Sequence, residues 1–355
     1  MTSRRLQRML SIFTNISSLR LFGLKLLDRS SVTHRRDGAD RDSRHYLEVL
    51  QNASCAQNIE CLELLGVWEC DPFTSDWGNA STPTYSVHVD VQFPKLKRLA
   101  IEGKLYHREL PLLRSLLRSS RQITHLRVGG EAPNICNFDV EIAMIQYHND
   151  TLEELILDGY SGKIVSLKIQ SKVLRTLNLS GCQNLTVLQL ECPNIEVLDL
   201  SNCSKLSSDF LQFESLSKLC PRLKVLKLRM NMVIADLISA DKIDSKPYFP
   251  HLEHIDIREC PLLRHMSVEC PFLRKVEVRG CNHMQSLKIT SPVLNSLCVA
   301  WLYSLEELAL DCPSLIMLDI SGCHKLSEEE MHLNCPILQS SGIIRTTDRS
   351  IDILG

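Results

Sequence analysis

A phrase of apolar residues recurs along the chain at a nearly fixed interval, and this repetition constrains the fold more than any other feature. The phrase has the form L-x-x-L-x-L, and in the second half of the chain it returns most often after 21 residues. Its apolar residues predict one short strand per repeat, turned toward a core. The phrases begin at Ile16, Ile59, Leu96, Ile123, Leu152, Leu174, Ile195, Leu223, Leu252, Leu273, Leu294 and Leu315.

A strand phrase that recurs every ~20–29 residues is the signature of leucine-rich repeats. It predicts an α/β fold, a right-handed leucine-rich-repeat solenoid with a parallel front sheet. A second phrase lies halfway through the short coils, at Ile164, Leu185, Leu263, Met284 and Leu305. Because 21 residues leave little room for a helix, we expect short back strands in the coils of 152–205 and 252–325. Longer coils should carry helices instead, as at 108–120 and 209–220.

The repeats cover the whole chain, so we predict a single solenoid over 1–355. Within it, 1–151 should form irregular, longer coils that carry two loops, 28–47 and 71–94. Regular coils should occupy 152–338, and 339–355 should form a C-terminal tail or cap. Loops of this length in a compact array are either functional or disordered, and the sequence leaves both alternatives open.

The cysteines follow the register of the repeat. Cys182, Cys203, Cys260, Cys281 and Cys323 follow the front strands, where repeats of this kind place Asn or Cys facing inward. Neighbouring coils stack ~4.8 Å apart, so the pairs Cys182–Cys203 and Cys260–Cys281 satisfy the distance for a disulfide. The chain has 15 cysteines, an odd number, and no secretory signal. We therefore predict buried, reduced thiols, and the absence of C-x-x-C argues against zinc.

Composition excludes several classes of function. The formal net charge is -2, which gives no overall attraction for nucleic acid or an anionic membrane. The basic N-terminus is open to interpretation as a mitochondrial presequence, but its apolar residues also fall at helical spacing, and we favour a helix. No glycine-rich phosphate loop, H-E-x-x-H or G-x-S-x-G occurs. We expect no enzyme, no cofactor, no metal, no nucleic-acid partner and no membrane partner.

Front phrases such as LNLSGC, LDLSNC and LDISGC resemble the cysteine-containing class of leucine-rich repeats that is typical of F-box/LRR proteins. The doubled pattern with L-x-L-x-C-P is similar to plant-type members with short coils. This resemblance implies a repeat domain that binds a substrate for a cullin-type ubiquitin ligase. We find no F-box segment itself, so a ligase adaptor is implied as a partner only if one exists upstream. The alternative is a stand-alone, non-catalytic scaffold or adaptor without a link to ubiquitin ligase.

Function in a solenoid lies in the positions that the repeat does not dictate. From 223 to 279 the exposed columns of the front strands are densely charged, which indicates either a self-neutralising lattice or a contact surface for a protein. An apolar edge lies beside them, and Trp301 stands where other coils have Gly or Asn. Exposed Trp, Met and Arg are typical of interface hot spots. The predicted partner-binding residues are Lys227, Arg229, Met230, Asp256, Arg258, Glu277, Arg279, Trp301 and Met317.

These features together predict a protein-binding module with a protein substrate or partner on its front sheet. Since no targeting or membrane segment is recognised, we expect a cytoplasmic or nuclear location, or both.

Overall fold

The computed structural model of the protein describes residues 3–22, 49, 52–67, 92–103, 116–129, 150–159, 164–238 and 249–347. The chain forms two compact units, Met1–Ile164 and Val165–Gly355. The predicted loop 28–47 lies outside the described residues, as does 71–94 up to residue 91. No helix of the described residues combines the length and hydropathy that crossing a bilayer requires.

The first unit begins with a helix, α1 (Ser3–Ile12), which buries Leu6 and Leu10. Five strands follow and pair in parallel, each with the next along the chain. Each coil adds one strand to the sheet, as the repeat predicts, and the register shifts only between Leu65 and Val67 of β2 among these described pairs. The strands are β1 (Ser18–Phe22), β2 (Cys61–Val67), β3 (Arg98–Gly103), β4 (His125–Gly129) and β5 (Glu154–Ile156).

The second unit has a front sheet in which every coil contributes one short parallel strand. The middle residue of each strand from β7 to β18 is buried, which follows from the period of two along a strand, whereas the middle residue of β20 is only half-buried. The flanking residues are more exposed, except Asp199 and Asp256, which are buried at the ends of β9 and β12. In chain-order numbering these strands are β7 (Thr176–Asn178), β9 (Val197–Asp199), β10 (Val225–Lys227), β12 (His254–Asp256), β14 (Lys275–Glu277), β16 (Ser296–Cys298), β18 (Met317–Asp319) and β20 (Ile343–Arg345).

The back of this unit carries strands in the short coils, which confirms the prediction from the halfway phrases. A two-stranded sheet pairs β6 (Ser166–Gln170) with β8 (Val187–Glu191). A second parallel sheet has five strands, β11 (Asp236–Ile238), β13 (His265–Glu269), β15 (Ser286–Thr290), β17 (Glu307–Asp311) and β19 (Met331–Asn334). The solenoid architecture of the repeat class is therefore present in the structure.

Two features of the back differ from the sequence expectation. The helix α2 (Phe213–Leu219) begins later than the predicted segment 209–220, and Leu211 rather than Phe210 is buried beside it. Strand β11 lies in a longer coil, where we expected helix only. Its Leu237 and the preceding Ile234 are buried, so the local pattern suits a strand once β13 offers an edge to pair with. The last helix, α3 (Pro336–Ser341), precedes β20.

The described cysteines are free, as predicted, and all but two of them are buried. All 13 described cysteines are free, and only Cys61 and Cys298 are partly exposed. The front-register thiols hydrogen bond to a carbonyl of the preceding coil, as Cys203 Sγ does to the oxygen of Leu179 at 3.2 Å. Burial raises the pKa of Cys203 to about 12. These thiols therefore connect coils, and the raised pKa makes Cys203 a poor nucleophile.

Asn231 occupies the position that cysteine holds in the neighbouring coils. Its side-chain nitrogen donates to the carbonyl oxygens of Leu200 and Leu228 at 3.1 and 2.8 Å, and its oxygen accepts from the Cys203 backbone N–H at 3.1 Å. The residue is fully buried. One amide thus satisfies three backbone groups, two of them in the preceding coil, which carries helix α2.

We expect Asn231→Cys to lower the free energy of unfolding by about 1–2 kcal/mol, because a thiol reaches one of these three backbone groups and leaves the others unpaired. Urea unfolding at constant pH measures the change. The exposed Asn282 gives the matched control, and Asn282→Cys should change stability by less than about 0.5 kcal/mol. Equal losses in both variants would contradict a role for the Asn231 amide.

Among the described strand pairs of the second unit, the front sheet has an irregular seam between β14 and β16. A single residue pair, Glu277 with Cys298, is in register there, whereas the pairs on either side have three. In the next seam Val299 and Trp301 donate their backbone N–H to the following coil at 2.8 and 2.7 Å. Of the described residues at the irregular seam, the equivalent donors Val278 and Gly280 make no such bond. The two coils are therefore less tightly joined on the front.

This seam predicts a local pattern of amide exchange. An amide without a hydrogen-bond partner in the sheet has no such bond to break before it exchanges, so a smaller local opening suffices. We expect the amides of Val278 and Gly280 to exchange at least about tenfold faster than those of Ile257 and Glu259, which hold the same positions one coil earlier. Hydrogen exchange read by NMR measures this difference. Equal protection of the two pairs would show a continuous sheet at this seam.

Candidate functional site

One position in each regular coil adopts a left-handed backbone. It is the eighth residue counted from the start of the front phrase, and it closes the turn after the front strand. Glycine fills the position in four coils and Asn202 in one, as expected where φ is positive. The other three occupants are Met230, Glu259 and Trp301, with φ between 57° and 66°. A residue with a Cβ loses about 1–2 kcal/mol in this conformation.

Trp301 is the most unusual of these occupants. It is 53% exposed, so about half of this large residue remains open to solvent at a strained backbone position. The indole lies against Gly322 of the next coil, where an added Cβ would come within 2.5 Å of the ring. Strained residues persist where something other than stability retains them, and they cluster at functional sites. Trp301 therefore combines a strained backbone with a half-exposed aromatic ring.

Trp301 belongs to a surface group of three rings. Its ring centroid lies 6.4 Å from that of Tyr303, with the planes tilted by 55°. Tyr303 in turn stacks on His324 of the next coil, with centroids 6.5 Å apart and planes at 28°. Tyr303 is 50% exposed and His324 is also exposed. We call Trp301, Tyr303 and His324 the aromatic patch.

The charged residues of the front strands form ion pairs with one another. Arg258 makes a bidentate contact with Asp256, at 2.8 and 2.6 Å, and lies 3.5 Å from Glu277. Lys275 pairs with Glu277 at 2.8 Å. Farther along the sheet Lys227 lies 3.5 Å from Asp199, and Arg229 lies 2.8 Å from Glu259. We call these residues the ionic lattice.

The lattice shifts the ionisation of its acids. Burial alone would raise the pKa of Asp256, but hydrogen bonds from the side chain and backbone of Arg258 outweigh it and lower the pKa. At Glu277 burial acts in the same upward direction, and the hydrogen bond from Lys275 and the charge of Arg258 lower the pKa overall. The Asp256 bond raises the pKa of Arg258. All three groups are therefore charged at neutral pH.

These lowered pKa values predict acid sensitivity. A carboxylate whose pKa is lower in the folded chain stabilises the fold fully above its unfolded pKa, about 3.9 for Asp and 4.3 for Glu. That contribution is lost as the pH falls through the folded pKa. We expect Asp256→Asn to be less stable than wild type at pH 6, and the difference to shrink as the pH falls toward 3. Urea unfolding over this range measures it, and a pH-independent difference would contradict it.

The structure places the nine predicted residues in different environments. Asp256 is buried and bonds to its own turn and to Arg258, so we assign it to support of the strand end. Met230 is half-buried at its left-handed position. Met317 begins β18, five residues before Gly322, the glycine against which the Trp301 indole packs. Met317 and the aromatic patch therefore lie toward opposite ends of the front strands.

Arg279 differs from the other predicted cations. It is exposed, and its guanidinium contacts Cys298 Sγ across the irregular seam at 3.6 Å. Within the described part of the chain no carboxylate pairs with it, whereas Lys227, Arg229 and Arg258 each have one. Arg279 thus lies just beyond the ionic lattice, and the aromatic patch begins on the next coil.

Sequence reasoning missed Tyr303 and His324. Both follow the inward-facing position of their coil by one residue, and they are 21 residues apart. The period alone therefore places the two rings side by side, and a comparison of that column would have found them.

The chemistry of the remaining surface is limited. Within the described ranges, no group of three or more His, Cys, Asp or Glu side chains is arranged to hold a metal ion. A shallow depression on the back sheet of this unit lies between Lys288, Ala309 and His332. It holds no strained residue, so the front surface at Arg279 and Trp301 is the stronger candidate site.

Comparison with known proteins gives little further guidance. No protein-family model and no curated protein matches the chain. Among solved structures, one similar chain comes from the complex of Rad7 and Elc1 in yeast, at 16% identity and a TM-score of 0.28, over 72% of this chain and 75% of that one. Another comes from the complex of TLR13 with ssRNA13, at 14% identity and a TM-score of 0.20, over 85% and 65%. At these scores neither match carries an argument about function.

Proposed function

We propose that the protein is a binding module that recognises another protein on the front surface of its second unit. The observation that carries this proposal is Trp301, a half-exposed tryptophan held at a left-handed position that four other coils give to glycine. Aromatic and arginine side chains dominate the energy of protein interfaces. Arg279 supplies the arginine beside it, without a carboxylate partner among the described residues.

The ionic lattice lies on one side of this centre, in the coils before Trp301, and suits the rim of an interface. Lys227, Arg229, Arg258 and Glu277 are paired within the sheet, so a partner gains little energy from them. Their charges still orient an approaching partner and set the rate of encounter. In this proposal Trp301 and Arg279 supply the affinity, and the lattice supplies orientation.

The finer proposal concerns the class of partner. The cysteine-containing repeats resemble those of F-box/LRR proteins, and on that ground we propose recognition of a substrate for a cullin-type ubiquitin ligase. A stand-alone scaffold would use the same surface without ligase subunits. Mass spectrometry of complexes captured on the full chain distinguishes the two, because only the first predicts cullin and adaptor subunits among the captured proteins.

Arg279→Glu is the sharpest variant for testing the surface. Arg258→Glu would leave the buried Asp256 beside a second acid and damage the fold. Arg279 does not neutralise a buried acid among the described residues, so Arg279→Glu should leave the fold intact. We expect Arg279→Glu to remove at least one protein that wild type captures, while Lys288→Glu on the back sheet retains it. A partner that is retained by Arg279→Glu and lost by Lys288→Glu would place binding on the back.

A further inference from the structure

The aromatic patch and Arg279 occupy three consecutive coils. Arg279 follows β14, Trp301 and Tyr303 follow β16, and His324 follows β18. Coils stack ~4.8 Å apart, so the group spans about 10 Å across the strands. An extended chain advances ~3.3 Å per residue, and about four residues cover this distance.

The two halves of the group have different chemistry. Trp301 and Tyr303 form a tilted corner of two half-exposed rings, which suits a flat or rigid apolar side chain. Proline-rich segments dock on aromatic surfaces of this kind. Arg279 offers a planar guanidinium that can accept a carboxylate in bidentate geometry. Its guanidinium contacts the Cys298 sulfur, and no acid among the described residues pairs with it.

We propose that this group binds a short extended segment of a partner protein, in which a proline or aromatic residue contacts Trp301 and Tyr303 and a neighbouring aspartate or glutamate pairs with Arg279. This inference rests on the proposed function and specifies the chemistry of its partner. The charge pattern favours a peptide over a nucleic acid. A nucleic-acid backbone binds along a groove lined by several unpaired cations, and the nearby Arg229 and Arg258 already form ion pairs with acids.

The test uses a display library of random twelve-residue peptides, selected on the purified full chain. The recovered peptides are synthesised, and their affinities are measured by fluorescence anisotropy. We expect enrichment of an acid within two residues of proline or an aromatic. Arg279→Gln and Tyr303→Ala should each weaken binding by about tenfold or more. The matched controls are Arg274→Gln, an exposed arginine on the same coil, and Phe272→Ala, whose ring is also 50% exposed; each should change affinity less than about twofold.

Cys298 provides a second readout at the site. It is partly exposed and contacts Arg279, while Cys61 is partly exposed in the first unit. A bound peptide should slow alkylation of Cys298 by iodoacetamide and leave Cys61 unaffected, as read by mass spectrometry of the digest. Equal protection of both thiols, or of neither, would contradict binding at this group.

Three results would overturn the inference. If the selected peptides show no enrichment of acids, and Arg279→Gln binds them as tightly as wild type does, then no peptide carboxylate pairs with Arg279. A labelled twelve-nucleotide oligouridine that binds at 0.15 M salt and loses affinity on Tyr303→Ala would assign the patch to single-stranded nucleic acid. If Tyr303→Ala binds the selected peptides as tightly as wild type does, then the proposed contact with the aromatic patch is absent. The proposed function is tested separately. It fails if a captured natural partner binds Trp301→Gly and Arg279→Glu as tightly as it binds wild type.

Discussion

Leu198→Ala should lower the free energy of unfolding by about 2–5 kcal/mol. Leu198 is the middle residue of β9, is fully buried, and pairs in register with Leu177 on one side and Leu226 on the other. Removing its side chain leaves a cavity between three coils that the flanking backbone cannot close. Chemical denaturation measures the loss.

The reach of this defect is as informative as its size. Repeat arrays couple mainly to nearest neighbours, so hydrogen exchange should rise first over 174–222. Leu262 is the matched control, since it is 50% exposed in a turn, and Leu262→Ala should cost less than about 0.5 kcal/mol. Uniform loosening of the whole second unit by Leu198→Ala would instead show one cooperative core.

Trp301→Gly should weaken a captured partner by about 2 kcal/mol or more, which is roughly 30-fold in affinity. Its effect on stability should be small, within about 1 kcal/mol. Glycine relieves the left-handed strain at φ 66° but restores chain entropy to the unfolded state and removes the ring contacts, and these effects oppose one another. Titration with the partner and denaturation of the same sample measure both quantities.

The control for Trp301 is Phe272→Ala, because Phe272 is similarly exposed but lies in the turn before β14. It should leave affinity within about twofold of wild type. A loss of affinity accompanied by an equal loss of stability in Trp301→Gly would assign the tryptophan to the fold.

The spacing of the leucines predicts the architecture well because burial dictates it. Residues such as Leu198, Ile255 and Leu318 are the middle residues of front strands, and a regular array leaves each one a single orientation. The halfway phrases identify the back strands of the short coils for the same reason. Strand β11 escaped prediction because its pairing depends on an edge that β13 provides from the next coil.

The candidate site is less predictable because it depends on which exposed groups meet. The sequence shows that Arg258 and Arg279 hold equivalent positions, and it cannot show that one is paired with a buried acid and the other contacts a sulfur. The glycines at the equivalent position of other coils indicate a positive φ at Trp301, so its backbone conformation could be predicted from the sequence. The seam between β14 and β16 was not, since neither strand has an unusual sequence.

Crosslinking from the aromatic patch tests the central claim most directly. A photo-crosslinking phenylalanine analogue replaces Tyr303 in one sample and Phe272 in another, and each full chain is irradiated with its captured partner. Adducts should form from position 303 and be lost when Trp301→Gly is added, while position 272 gives none. Adducts from position 272 alone, or adducts from 303 that survive Trp301→Gly undiminished, would contradict binding on this surface.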